Sequence, residues 1–133
     1  MFISPTPESI AALVARNIDG PVTMLNLIRF REIADYSDYP DLAPDEPISG
    51  QQAYEIYSGH TLPLLADVGG EVLFVGTGGP LLIGPEEAQW DSVLLVRYPD
   101  LAAFISMTQS PGYTAGAGHR TAALADSRLL PIQ

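Results

Sequence analysis

Val22-Thr23-Met24-Leu25-Asn26-Leu27-Ile28-Arg29-Phe30 is the stretch from which the fold can be read. Apolar residues fill both alternating sets: Val22, Met24, Ile28 and Phe30 on one side, Leu25 and Leu27 on the other. Successive side chains of a strand point to opposite faces, so a strand apolar on both faces is expected to be covered on both. Two later segments share this pattern. Glu71 to Thr77 sets Val72 and Phe74 against Leu73 and Val75, and Trp90 to Tyr98 sets Leu94 and Val96 against Val93 and Leu95.

Helical signals separate these strands. Thr6 followed by Pro7 reads as an N-cap with proline in the first turn, and Ile10, Leu13 and Val14 recur at helical spacing up to about Asn17. Ser49 and Gln52 have capping-box spacing. The helix after them carries Ala53, Ile56, Tyr57, His60, Leu64 and Val68 on one stripe, is kinked at Pro63 and stops at Gly69-Gly70. Asp100 caps a helix bearing Leu101, Phe104 and Ile105, and Ser110-Pro111 starts another that runs to Leu124. Gly112, Gly116 and Gly118 weaken that last helix. Pro80 to Ile83 reads as a short returning hairpin arm, and Arg128 to Ile132 as a final short strand.

The order is therefore an extra N-terminal helix (residues 1–20) followed by strand, helix, strand, strand, helix, strand (residues 21–133). This predicts one α+β domain of ferredoxin-like βαββαβ type with an antiparallel sheet. The first and third strands are expected to be central and to run parallel. Right-handed crossovers place both helices on one sheet face. The two-faced strands then need a second cover, which the N-terminal helix could supply in part and a two-fold copy of the same sheet could supply in full. The expectation is a homodimer.

Composition narrows the function. The chain has 133 residues, no cysteine, 16 acidic and 6 basic side chains, and a net charge of −10. All six basic residues are arginines, and they form no stripe of the kind nucleic acid requires. Neither nucleic acid nor an anionic membrane is an expected partner. Disulfides and zinc–thiolate sites are excluded. No basic, apolar leader and no long apolar span is visible, so the cytoplasm is the default location. Six acids crowd between Glu32 and Glu46, in a loop (residues 31–48) that reads as a solvated surface.

The C-terminal half carries a family likeness. Trp90-Asp91-Ser92-Val93-Leu94-Leu95-Val96-Arg97-Tyr98-Pro99, then Ser110-Pro111-Gly112-Tyr113 and Ala125-Asp126-Ser127-Arg128-Leu129, resemble the domain-of-unknown-function 1330 family of the dimeric α/β-barrel superfamily. The resemblance spans roughly Pro21 to Pro131 and is clearest from Glu71 onward. It implies a ferredoxin-like fold and a dimer whose sheets face each other. It implies no catalytic motif. The wider superfamily holds cofactor-free monooxygenases, small-molecule isomerases and haem proteins, and fold does not choose among them.

Several residues could carry chemistry. His60, on the apolar stripe, is either a hydrogen-bonded core histidine or a pocket acid/base. Asn26 and Arg97 are polar residues on neighbouring apolar strands. They either pair internally or point into a pocket, where they would hold developing oxyanion charge. Tyr54, Tyr57, Trp90 and Tyr98 either line a ligand site or anchor the core. His119 sits on the glycine-weakened helix, either in contact with substrate or in a surface or dimer-contact role. Two histidines far apart in the sequence make at best a weak metal site, and neither a metal nor a cofactor is expected. The leading expectation is a dimer that binds a small apolar or carbonyl-bearing molecule and acts on it as a cofactor-free monooxygenase or isomerase would. The alternative is a non-catalytic ligand-binding or structural dimer.

Overall fold

A computed structural model describes all 133 residues. The elements are α1 (Pro7–Ala15), β1 (Val22–Phe30), a 3-10 turn (Pro40–Leu42), α2 (Gly50–Asp67), β2 (Glu71–Pro80), β3 (Gln89–Tyr98), α3 (Leu101–Thr108), α4 (Pro111–Ala123) and β4 (Leu124–Ile132). Caps act where the sequence puts them. Thr6 accepts from Ser9 N, Ser49 and Gln52 close a capping box, and Asp100 accepts from Ala103 N. Gly69 ends α2 at a φ of +80°, a conformation glycine adopts without a Cβ clash.

The four strands form one sheet in the order β2-β3-β1-β4. All three ladders are antiparallel. This corrects the expected parallel pairing of the first and third strands. A crossover through α2 leaves β2 parallel to β1, and the hairpin then reverses β3, so β1 and β3 must be antiparallel. Two boundaries also move. β2 continues to Pro80 in place of a returning arm, and β4 starts at Leu124, directly after α4.

Helices α2, α3 and α4 cover one face. The core beneath them has two parts: Val22, Met24, Leu65, Tyr98 and Met107 in one, and Ile28, Ala53, Ala123 and Leu124 in the other. The opposite face is open. There the ladder aligns Leu130, Leu25, Leu95 and Phe74 in one row across all four strands. The row's ends are well exposed, Leu130 at 56% and Phe74 at 55%. α1 buries none of its residues, and Ile10 and Val14 stay about half exposed. The loop joining β2 to β3 presents Leu82 and Ile83 almost wholly to solvent. No helix is long and apolar enough to cross a membrane.

Candidate functional site

The contact between α2 and α4 positions most of the polar aromatic side chains. It is close because glycines line it. A Cβ on Gly116 would lie 2.9 Å from Cβ of His60, and one on Gly112 would lie 3.2 Å from Leu64. Four residues apart, both glycines face α2. Gly118 faces another way: a Cβ there would come within 2.7 Å of the Tyr39 ring. The glycines that read as weakening α4 are its packing surface.

The acidic loop is stitched to this contact. Arg31 N donates to Ala123 O (2.8 Å), Ala34 N to Ile48 O (2.9 Å) and Asp35 N to Ala122 O (2.9 Å). These bonds bring Tyr36 over α4, where its hydroxyl lies 2.7 Å from His119 Nδ1. The two rings meet edge to face. The His119 ring in turn stacks on His60, with centroids 5.6 Å apart and planes 14° from parallel. His119 is buried and His60 is exposed. Burial, and secondarily the neighbouring His60, push the His119 pKa below the ordinary histidine value. Burial raises the phenol pKa of Tyr36. Neutral imidazole beside neutral phenol is the favoured state of the pair.

Tyr36 also lines a cleft of about 310 Å³ inside the acidic loop, together with Ile33, Pro44, Glu46 and Ile48. A second run of aromatics lies between α2, α4 and the sheet. Phe30, Tyr54, Tyr57 and Tyr113 follow one another at centroid distances of 5.6, 5.2 and 6.0 Å. The hydroxyls of Tyr57 and Tyr113 are 3.0 Å apart. Burial raises the pKa values of Tyr54 and Tyr57.

A second cavity, of about 280 Å³, lies at the end of the sheet by the β2–β3 loop. Arg29, Glu87, Trp90, Asp126 and Arg128 line it. Asp126 Oδ1 accepts from Phe2 N (2.7 Å), Ser127 N (3.0 Å) and Arg128 Nη1 (2.7 Å). Partial burial opposes ionisation of Asp126, but these bonds outweigh it and hold its pKa below the ordinary carboxylate value. The Arg128 guanidinium lies 4.7 Å from the centroid of Phe2 and 5.2 Å from that of Trp90.

The expected site residues are therefore distributed. His60 and His119 are together. Tyr54 and Tyr57 are adjacent, and Trp90 belongs to the second cavity. Asn26 and Arg97 do not converge. The ladder sets Asn26 beside Leu94 on the helix-covered face and Arg97 beside Thr23 on the open one. The period of two along β1 puts Asn26 and Thr23 on opposite faces. The Asn26 amide donates to Met24 O (3.2 Å), and Arg97 meets Glu71 at 3.5 Å in an exposed pair. Tyr36 was not anticipated: its loop reads as solvated acid, and the only hint is the pair of tyrosines among the acids at 36 and 39. No group of three His, Asp or Glu side chains is placed to hold a metal ion.

Comparison with known proteins supplies the family and little chemistry. A Rhodopseudomonas palustris protein of unknown function, RPA0582, is 38% identical, with a TM-score of 0.85 over 98% of this chain and 94% of its own. The methylated form of RPA0582 gives 37% identity and a TM-score of 0.88, over 99% of this chain and 93% of that one. A dimeric protein of unknown function with a ferredoxin-like fold from Bacteroides fragilis shares 12% identity and a TM-score of 0.50, over 85% of this chain and 95% of its own. It bears on the fold alone. No curated protein matches the sequence. A family described as domain of unknown function 1330 matches residues 46–131, from the last part of the acidic loop into β4. The resemblance read from Trp90 to Leu129 thus holds, and the chain belongs to the domain-of-unknown-function 1330 family, with a ferredoxin-like fold.

Proposed function

We propose that the protein is a homodimer that binds a small apolar or carbonyl-bearing molecule and moves a proton on it without a cofactor, through Tyr36 and His119. The observation that carries this reading is the 2.7 Å bond between the Tyr36 hydroxyl and His119 Nδ1, on the wall of a 310 Å³ cleft. Hydrogen-bond contact between a side chain facing a cavity and a titratable group behind it is what general acid–base chemistry needs. Tyr36 lines the cleft and His119 does not, so a molecule there would reach the pair through Tyr36. When the phenol oxygen takes a proton from a carbon acid, the phenol's own proton moves to Nδ1 of neutral His119. His60 stacks on that ring and is open to solvent. Asp45 and Glu46, near the same cleft, disfavour an anionic ligand.

The homodimer rests on the open sheet face. Its apolar row of Leu130, Leu25, Leu95 and Phe74 is of the kind a second copy covers. Two observations favour the alternative, a non-catalytic dimer: His60 stacks on His119, and Arg97 pairs with Glu71 inside the chain.

Native mass spectrometry of freshly purified protein separates the two. The expected result is a dimer with a retained small molecule that is lost from the Tyr36→Phe variant. An empty dimer, unchanged by that substitution, supports the non-catalytic reading. A monomer at micromolar concentration removes the dimer.

A further inference from the structure

The second cavity has a charge pattern that the cleft at Tyr36 lacks. Arg29 stands beside Asp126 across the β1–β4 ladder. That carboxylate is already engaged by Phe2 N, Ser127 N and Arg128. Arg29 therefore has no ion-pair or hydrogen-bond partner, although it lines the cavity. Glu87, in the β2–β3 loop, lines it too and is equally unpartnered. Trp90, 8% exposed, lines the same cavity, with the Arg128 guanidinium 5.2 Å from its ring centroid. Once the internal Arg128–Asp126 pair is set aside, the lining offers one free cation, one free anion and one indole.

We propose that this cavity is a binding site for a small zwitterion with a planar side group, of the class of an aromatic amino acid. Its carboxylate meets the guanidinium of Arg29, a fork suited to two parallel hydrogen bonds. Its ammonium meets the carboxylate of Glu87, and its ring lies along Trp90. A simple carboxylate leaves Glu87 unsatisfied and close to like charge. A simple amine does the same to Arg29. The volume of about 280 Å³ is at the lower end of small-molecule pockets and suits a single such ligand. This site is independent of the Tyr36–His119 pair, and neither proposal needs the other.

Trp90 is the only tryptophan in the chain, so emission excited at its long-wavelength edge reads this cavity alone. The full chain is titrated with phenylalanine, benzoate and 2-phenylethylamine, and isothermal calorimetry gives a second readout for each. Phenylalanine is expected to shift Trp90 emission saturably, and benzoate and phenylethylamine to bind at least tenfold more weakly. Arg29→Gln and Glu87→Gln change exposed residues, so both should fold, and each should weaken phenylalanine at least tenfold. Arg97→Gln, on another part of the open face, should leave it unchanged. No saturable response to phenylalanine by either method overturns the site. Benzoate binding as tightly as phenylalanine overturns the zwitterion. Unchanged affinity in both variants overturns the assigned contacts.

Discussion

The imidazole of His60 lies flat on that of His119, one exposed and the other buried, with ring planes 14° apart. Burial holds the His119 pKa below the ordinary 6.5, and the stacked His60 adds to that because two imidazoles resist carrying charge together. The unfolded chain therefore binds this proton more readily than the folded one. Stability from neutral His119 is fully present above about pH 6.5 and declines as pH falls below it. The urea midpoint of the wild type should drop between pH 7.5 and 5.5, and drop less in His119→Gln. His60→Gln should raise the His119 pKa, read from its ring protons by NMR. Equal pH dependence in wild type and His119→Gln would refute the assignment.

Two glycines of the same helix should respond to alanine with opposite signs. At Gly50 a Cβ would meet the Arg31 carbonyl and lie 2.6 Å from Ala123 O. Backbone cannot step aside there, so Gly50→Ala should destabilise by about 3 kcal/mol or more. At Gly59 nothing lies within 4 Å. Gly59→Ala should stabilise by about 0.5–1 kcal/mol, through helix propensity alone. Denaturant titration of both variants tests the pair together.

Tyr57 is half-buried and shares a 3.0 Å hydroxyl contact with Tyr113. Tyr57→Phe removes one partner and leaves the other hydroxyl unsatisfied, which should cost about 1–2 kcal/mol. Burial first, and then the neighbouring phenols, raise the Tyr57 pKa. In spectrophotometric titration its phenol should stay protonated until the protein unfolds in alkali. Ionisation of every tyrosine at ordinary pH in the folded state is the outcome that contradicts this.

Leu95 sits inside the apolar row on the open sheet face, between Leu25 and Phe74. A charge there would be buried by any copy docked on the row, without a partner. Leu95→Glu should therefore convert the dimer to a folded monomer in light scattering, with little change in circular dichroism. A dimer that survives the substitution places the interface elsewhere.

The strands were legible because burial leaves a period in the sequence. Val22 to Phe30 is bounded correctly from alternation alone, and its two apolar faces point to the open face that the structure presents. The caps at Thr6, Ser49 and Asp100 were legible because each asks for one residue type at one place. The site was legible only in pieces. His60 and His119 stand out by residue type, but their stacking depends on Gly116 letting α2 approach α4, a packing fact that no local pattern encodes. Asn26 and Arg97 were grouped because their strands are neighbours. Neighbouring strands share two faces, and the register decides which face each side chain takes. Tyr36 was hidden by its acidic surroundings, since composition reports a loop's solvation and not the backbone bonds that fasten it to α4.

The place of β1 at the middle of the sheet has a consequence for how the chain finds its structure. Leu25 pairs with Leu95 on one side and Leu130 on the other, and Phe2 bonds to Asp126 across a separation of 124 residues. Local partners are scarce for the N-terminal third. Helix α4, with three glycines, has little tendency to form before α2 is there to receive it. Collapse must close several long loops nearly at once, which slows folding relative to a helical domain of this size. During that interval the apolar row of the sheet is unprotected. The surface proposed to meet a second copy in the finished protein is thus the one through which unfinished chains would associate wrongly.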